Sequence, residues 1–245
     1  MLFSMLGAGL LTAAVAAMPI DWPRGALWQV VRFCGFAERV FDRPFPCVAV
    51  RLGPEGFAIL HASNRSSHFI VTPTHRLSGL ESGAEGAVEA QGAWHAALAL
   101  RSSVAATTGT TLEDVALSVN PRRSRSQDQF HIHVGCGDPT LLAAIRREDV
   151  LIGSAWARLD RPVDGTVFWA RRVLRSSVGD ENPLASLAPL AKSRVDPANV
   201  VFVAFGLTRT NGSDLVQLVT QTAGSSAEDA LDPDCHGSPV HGRSP

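Results

Sequence analysis

Several things that would point to a partner or a cofactor are scarce in this 245-residue chain. There is no basic excess: 22 Lys and Arg stand against 23 Asp and Glu, a formal charge of -1. General nucleic-acid binders carry such an excess, so that class is set aside. Lys192 is the only lysine, and nearly all positive charge is arginine. The four cysteines, Cys34, Cys47, Cys136 and Cys235, contain no Cys-x-x-Cys, which argues against a zinc ribbon. The first twenty residues, Met1 to Ile20, hold no charged side chain. Only 18% of residues are charged and 45% are hydrophobic, which suits a packed globular chain of one large domain or two small ones.

The uncharged start is just long enough to span a bilayer as a helix. Ala14-Val15-Ala16 also resembles a signal-peptidase site, and a buried N-terminal helix is the third reading. Export or anchoring is favoured, which places the domain outside the cytoplasm, where disulfides persist. Four cysteines allow three connectivities. Cys34–Cys47 with Cys136–Cys235 is preferred, with four free thiols as the cytoplasmic alternative.

A helix is expected from Asp21 to about Val40, with Leu27, Val30, Val31 and Cys34 facing the core. Strands follow at Cys47–Leu52, Phe57–His61 and His68–Pro73. Residues 77–91 read as loop, Gly92–Thr107 as helix and Val115–Asn120 as strand. Asp138-Pro139 opens a helix to about Val150. Val167–Val173, Val200–Leu207 and Leu215–Thr220 are strands, the last two joined at Asn211-Gly212. The tail from Ala223 reads as loose apart from Cys235.

The chemistry concentrates in Arg125-Ser126-Gln127-Asp128-Gln129-Phe130-His131-Ile132-His133-Val134-Gly135-Cys136. Phe130, Ile132, Val134 and Cys136 alternate with Gln129, His131, His133 and Gly135, the period of a half-buried strand. The two imidazoles then share a face, about 6–7 Å apart along the strand. Such a pair suits attack on phosphorus or metal ligation. Arg122, Arg123 and Arg125 precede it, and arginine forks match phosphate oxygens. A turn at Pro121–Ser124 makes Val115–Asn120 the hairpin partner, which brings Asn120 beside the histidines.

Thr72-Pro73-Thr74-His75-Arg76-Leu77-Ser78-Gly79-Leu80-Glu81-Ser82, Leu117-Ser118-Val119-Asn120, the block from Arg125 to Cys136, Ala170-Arg171-Arg172-Val173 and the cysteine positions together resemble the bacterial CDP-diacylglycerol pyrophosphatases, a branch of the histidine-triad superfamily of nucleotide hydrolases and transferases. The likeness runs from about Leu27 to Cys235 and is most specific at His-x-His. The superfamily's usual third histidine falls at Gly135, as in that branch.

The resemblance implies an α+β fold, a HIT-like antiparallel sheet with flanking helices. A C-terminal α/β region from about residue 150 is expected to pack on that sheet and leave the chain a monomer. The organisation is an anchor or signal at 1–20, a catalytic domain at 21–235 and a tail at 236–245. The resemblance also implies hydrolysis of CDP-diacylglycerol at an inner-membrane surface, with the domain on the periplasmic side and no cofactor or metal. His133 is the expected nucleophile, forming a covalent nucleotidyl-histidine, and His131 orients the reacting groups. Asn120, Arg125, Gln127 and Gln129 are expected at the substrate, with Arg125 stabilising charge and Gln127 beside the leaving oxygen. His68 supports the nucleophile strand. Two alternatives are a metal-dependent phosphoesterase, with His131 and His133 joined by His68, His75 or Asp128, and a non-catalytic nucleotide-binding module.

Overall fold

The computed structural model describes residues 23–62, 67–190, 195–209 and 212–236. The uncharged start, the residue expected to cap the first helix (Asp21), the Asn211 turn position and residues 237–245 lie outside the described residues.

Among the described residues nine strands form one sheet in which every neighbouring pair is antiparallel. In chain order they are β1 (Ala49–Arg51), β2 (Phe57–His61), β3 (Phe69–Pro73), β4 (Val115–Val119), β5 (Ile132–Cys136), β6 (Ala157–Arg158), β7 (Trp169–Val173), β8 (Val201–Arg209) and β9 (Gly212–Thr220). Their spatial order is β1-β2-β3-β5-β4-β8-β9-β7-β6. The helices are α1 (Ala26–Phe41), α2 (Ala87–Thr108), α3 (Pro139–Arg147) and α4 (Pro183–Leu187). The α+β class and the antiparallel sheet agree with expectation.

Side-chain alternation sends each strand to two different cores. On one face Val71, Val115, Leu117, Ile132 and Val134 pack against Trp94, Ala90, Ala93 and Ala97 of α2. On the other face there are two separate clusters. Leu27, Val31 and Cys34 of α1 pack with Ala58, Leu60 and Ile70 over the β1–β3 end. Leu141, Leu142 and Ile145 of α3 pack with Ala116, Val203, Phe205 and Leu218 over the β4–β9 end. His133 pairs in register with Ile70 on one side and Ser118 on the other. It therefore stands in the gap between these two clusters.

The C-terminal region does not simply lie on the sheet. Its strands continue the sheet edge to edge, β8 pairing with β4 through Phe202–Ala204, while Leu184 and Leu187 of α4 join the α2 core. All five residues of β4 are buried. Leaving such an apolar strand as an edge would strand its N–H and C=O groups and invite pairing with another chain.

Helix α2 begins five residues earlier than expected and is preceded by a 3-10 segment, Leu80–Gly86, where loop was read. Burial of Leu80 and Ala90 overrides the weak propensity of a Gly-rich stretch. Gly92 is required for proximity: a Cβ there would sit 2.1 Å from the Glu55 carbonyl oxygen, inside the β1–β2 turn. Helix α3 keeps its expected start, with Asp138 accepting from the Leu141 N–H at 2.8 Å and Pro139 in the first position. It ends at Arg147, and a 3-10 turn, Asp149–Leu151, follows.

Disulfides join Cys34 to Cys47 and Cys136 to Cys235, closing separations of 13 and 99 residues. Both are the preferred pairing; the expectation of a tail loose apart from Cys235 is corrected by its packing. From Ser225 the chain returns over the sheet face that carries His133. Ala227, Ala230 and Leu231 are buried, and Leu231 bridges to Gly137.

Candidate active site

Three imidazoles and one amide meet in the gap between the α1 and α3 clusters. His133 Nδ1 lies 3.0 Å from His68 Nε2. On its other side, His133 Nε2 lies 3.3 Å from Asn120 Nδ2. His131 stands edge-on to His133 with ring centroids 4.9 Å apart. That is closer than two residues of strand rise, because β5 begins only at Ile132 and His131 precedes it.

The orientation of the Asn120 amide follows from a backbone group that can only donate. The Ala227 N–H donates to Asn120 Oδ1 at 2.8 Å. This fixes the amide, so Asn120 Nδ2 is the atom facing His133 and it donates to Nε2. In the tautomer that accepts from Asn120, His133 Nε2 is the bare nitrogen, and Nδ1–H donates to His68 Nε2. The His131 Nδ1–H donates to the Gln129 carbonyl oxygen at 2.7 Å, which leaves His131 Nε2 bare as well. Both rings are buried. Burial holds His133 well below the ordinary histidine pKa, and the neighbouring His131 and His68 push it the same way. Burial also lowers His131, against the opposing pull of the Gln129 carbonyl. Near neutral pH the pair is therefore uncharged, the state in which an imidazole is a nucleophile.

A cavity of about 570 Å³ opens on these rings. Its polar lining comes from His68, His131, His133, Ser126 and Gln127 and from the acidic Glu228, Asp229 and Asp232, and its apolar lining from Ala62, Ile70, Leu231 and Pro233. The volume suits a small-molecule site. Glu228 enters from the returning tail. Its Oε1 lies 3.4 Å from His133 Nε2, and its two oxygens accept from Asn120 Nδ2 at 3.2 and 3.0 Å. Sequence reasoning missed this residue. It sits in a polar tail, 95 positions beyond His133, and no local pattern marks it.

The structure brings together His68, Asn120, His131, His133 and Gln127. Gln127 borders the cavity while its Oε1 accepts from the Leu27 N–H at the start of α1, at 2.8 Å. Two residues expected at the substrate are elsewhere. Arg125 lines a separate polar cleft, where it holds Glu81 through two bonds of 2.7 and 2.5 Å. Burial raises the Glu81 pKa, but the Arg125 bonds outweigh it and the carboxyl is held below its ordinary value. Gln129 is fully committed to a turn. Its Nε2 donates to Pro73 and His75 carbonyls at 3.2 and 2.8 Å, and its Oε1 accepts from the Leu77 N–H at 3.3 Å. It precedes β5, so strand alternation does not govern it. The Arg123 guanidinium is spent on the Asn199 and Thr222 carbonyls.

Of the further ligands named for a metal, His68 stands beside His133, while His75 and Asp128 are engaged elsewhere. His75 Nε2 donates to the Gly53 carbonyl at 2.9 Å. Asp128 is paired with Arg24 at 2.7 Å. Among the described residues, the group of metal-type side chains within common ligand distance is Asp232, Asp234 and His236, which includes neither His131 nor His133.

The fold and the site thus define a histidine-centred pocket on an antiparallel sheet. The family model for CDP-diacylglycerol pyrophosphatase matches residues 23–238. The chain belongs to that enzyme family. It is 29% identical over 223 residues to a protein of Yersinia pestis named CDP-diacylglycerol pyrophosphatase, covering 86% of this chain and 83% of that one. It is 32% identical over 168 residues to a Mycobacterium bovis BCG protein of the same name, covering 66% of this chain and 64% of the relative.

Proposed function

We propose that the chain hydrolyses the pyrophosphate bond of CDP-diacylglycerol to CMP and phosphatidate, with His133 Nε2 as the nucleophile. The observation that carries this reading is a buried imidazole with His68 at its Nδ1 and the Asn120 amide at its Nε2, and burial favours its neutral form. The nitrogen lone pair attacks the cytidylyl phosphorus. The bond to the bridging oxygen breaks, and phosphatidate leaves with that electron pair. The positive charge that develops on the imidazole is shared with His68 through the Nδ1–H. Water then attacks the same phosphorus, its proton passes to solvent or a nearby base, and the P–N pair returns to His133 as CMP leaves. Splitting one displacement into two is the gain of covalent catalysis.

Asn120 Nδ2, aimed at the same space, is placed to donate to a phosphoryl oxygen once Glu228 moves aside. Gln127 and the bare Nε2 of His131 line the same space and accept or donate to the substrate's polar atoms. At the histidine-triad superfamily's usual third position, Gly135, the nearest atoms to a Cβ would be those of Leu231, Ser67 and His68, at 3.7 Å or more. The returning tail, not a third histidine, closes that side.

Two disulfides support placement on the periplasmic side of a bacterial inner membrane. Among the described residues no helix is long and apolar enough to cross a membrane, so an anchor in this reading is the uncharged start. Coverage of the β4 edge by β8 supports a monomer. The test is CMP release from CDP-diacylglycerol in detergent, with and without chelator, for wild type and His133→Ala. Chelator-resistant release abolished by His133→Ala is expected. Loss of release to chelator alone would overturn the metal-free histidine mechanism.

A further inference from the structure

Six large apolar side chains are exposed along α1 and the loop that follows it: Phe33, Phe36, Val40, Phe41, Phe45 and Val48. Phe33, Phe36 and Val40 fall at helical spacings of three and four on the side of α1 turned away from the buried Leu27, Val31 and Cys34. Phe41 and Phe36 meet edge to face with centroids 6.2 Å apart. Phe45 is 74% exposed, and the Cys34–Cys47 disulfide holds its loop against the helix. An apolar group of this kind, concentrated in one place, marks a surface that meets something other than water.

The charge around it is unlike the rest of the chain. Between residues 23 and 52 stand five arginines; Arg24 is held by Asp128, which leaves Arg32, Arg39, Arg43 and Arg51 against Glu38 and Asp42, a local excess of two in a chain of net charge -1. Immediately upstream, the first twenty residues carry no charge, and the described structure begins three residues before α1. Aromatic side chains with arginines beside them are the composition of an interfacial face meeting anionic headgroups. The position also matters. Helix α1 lies over the same sheet face as His133, and Ile70 both packs against the α1 cluster and lines the cavity.

We infer that this face of α1, with the Phe45 loop, docks on the surface of an anionic phospholipid bilayer and sets the cavity beside the lipid phase. The substrate's position in that bilayer rests on the proposed function; the docking itself does not depend on catalysis. The phenyl rings sit among the upper acyl chains, and the arginines meet phosphate.

The test uses the full chain carrying Phe36→Trp, and separately Val88→Trp on α2, across the sheet from α1, where the side chain is 76% exposed. Each is mixed with vesicles of phosphatidylcholine and phosphatidylglycerol whose acyl chains are brominated. Emission is compared with the wild-type chain, so that the native tryptophans are subtracted. The Phe36→Trp emission is expected to shift to the blue and to be quenched severalfold more than that of Val88→Trp, and less strongly on vesicles lacking phosphatidylglycerol. Equal quenching at the two positions, or none at Phe36→Trp, overturns the inference: the N-terminal residues or a second copy of the chain would then cover the face. In parallel, Phe33→Asp with Phe36→Asp is expected to lower hydrolysis of vesicle-borne CDP-diacylglycerol at least tenfold while sparing a short-chain soluble analogue. Quenching without any hydrolysis by the wild type would leave the docking intact and remove the proposed function. Hydrolysis without quenching would do the reverse.

Discussion

Asn120 presents its Nδ2 to His133 Nε2 at 3.3 Å because its Oδ1 is already taken by the Ala227 N–H. A residue on β4's end is thus oriented by the returning tail, 107 positions away. The pairing makes the amide's donor character the relevant property. Asn120→Asp removes the donor and sets a carboxylate against both the bare nitrogen and Glu228. A loss of about 10²–10³ in kcat/KM is expected, the usual cost of one oriented donor at a developing charge. Steady-state kinetics check it, and a loss below fivefold would contradict the role.

In the proposed mechanism Glu228 sits where the phosphoryl group would enter, 3.4 Å from His133 Nε2. Its side chain is half exposed, so it has room to withdraw. Glu228→Gln removes a like charge from an anion site. CMP should bind severalfold more tightly to this variant at low salt, with the advantage shrinking as salt is raised. Calorimetry measures both; tighter binding by the wild type would show that the carboxylate is itself a substrate contact.

The pH dependence follows from the direction of the His133 shift. Burial penalises the imidazolium, so the folded pKa lies below the ordinary 6.5. Between the folded pKa and about 6.5 the unfolded chain takes up a proton that the folded one does not. Stability from this group is therefore full above pH 6.5 and falls as pH drops through that window. The acid limb of kcat/KM, which reports the free enzyme, should likewise lie below pH 6.5. A limb at or above 7 would show that His133 titrates as an ordinary or a raised histidine.

Arg125 supports the fold and stands apart from the cavity. Its side chain is 5% exposed and grips Glu81, which is 22% exposed. Removing one partner of a fully buried pair costs about 3–5 kcal/mol. With Glu81 partly wetted, Arg125→Ala should cost about 2–3 kcal/mol in denaturant unfolding. KM should stay within twofold for the folded fraction; a large KM rise at unchanged stability would return this arginine to the substrate.

The Cys136–Cys235 bond ties the tail that carries Glu228 to the strand that carries His133. Closing a loop of 99 residues is worth about 2–5 kcal/mol on chain-entropy grounds. Cys235→Ser should lose stability of that order and, through a loosened Ala227 contact, should lower kcat more than it raises KM. Unchanged kcat would separate the tail from catalysis.

The parts of this site that were legible in sequence are those set by local rules. The β4–β5 hairpin and the α3 start at Asp138-Pro139 follow from alternation, turn chemistry and capping. The juxtaposition of Asn120 with His133 followed from the hairpin alone. Arg125 and Gln129 misled because neighbours in sequence need not share a direction. Both precede the strand, and what claims them, Glu81 and the turn at residues 73–77, is about fifty residues distant in the chain. Glu228 was invisible for the same reason, since only the closed fold lays the tail across the sheet. Continuation of the sheet through β8 was equally hidden, because an apolar strand does not reveal which neighbour it pairs with.

The covalent step is the centre of the account, and trapping it is the most direct test. Enzyme mixed with CDP-diacylglycerol and quenched within a turnover should yield, by mass spectrometry of its peptides, a cytidylyl group on His133. The adduct should be absent from His133→Ala and should accumulate when the water step is slowed. A wild-type enzyme that releases CMP with no protein-bound nucleotide, and whose oxygen exchange shows a single displacement by water at phosphorus, would contradict the nucleophilic role of His133.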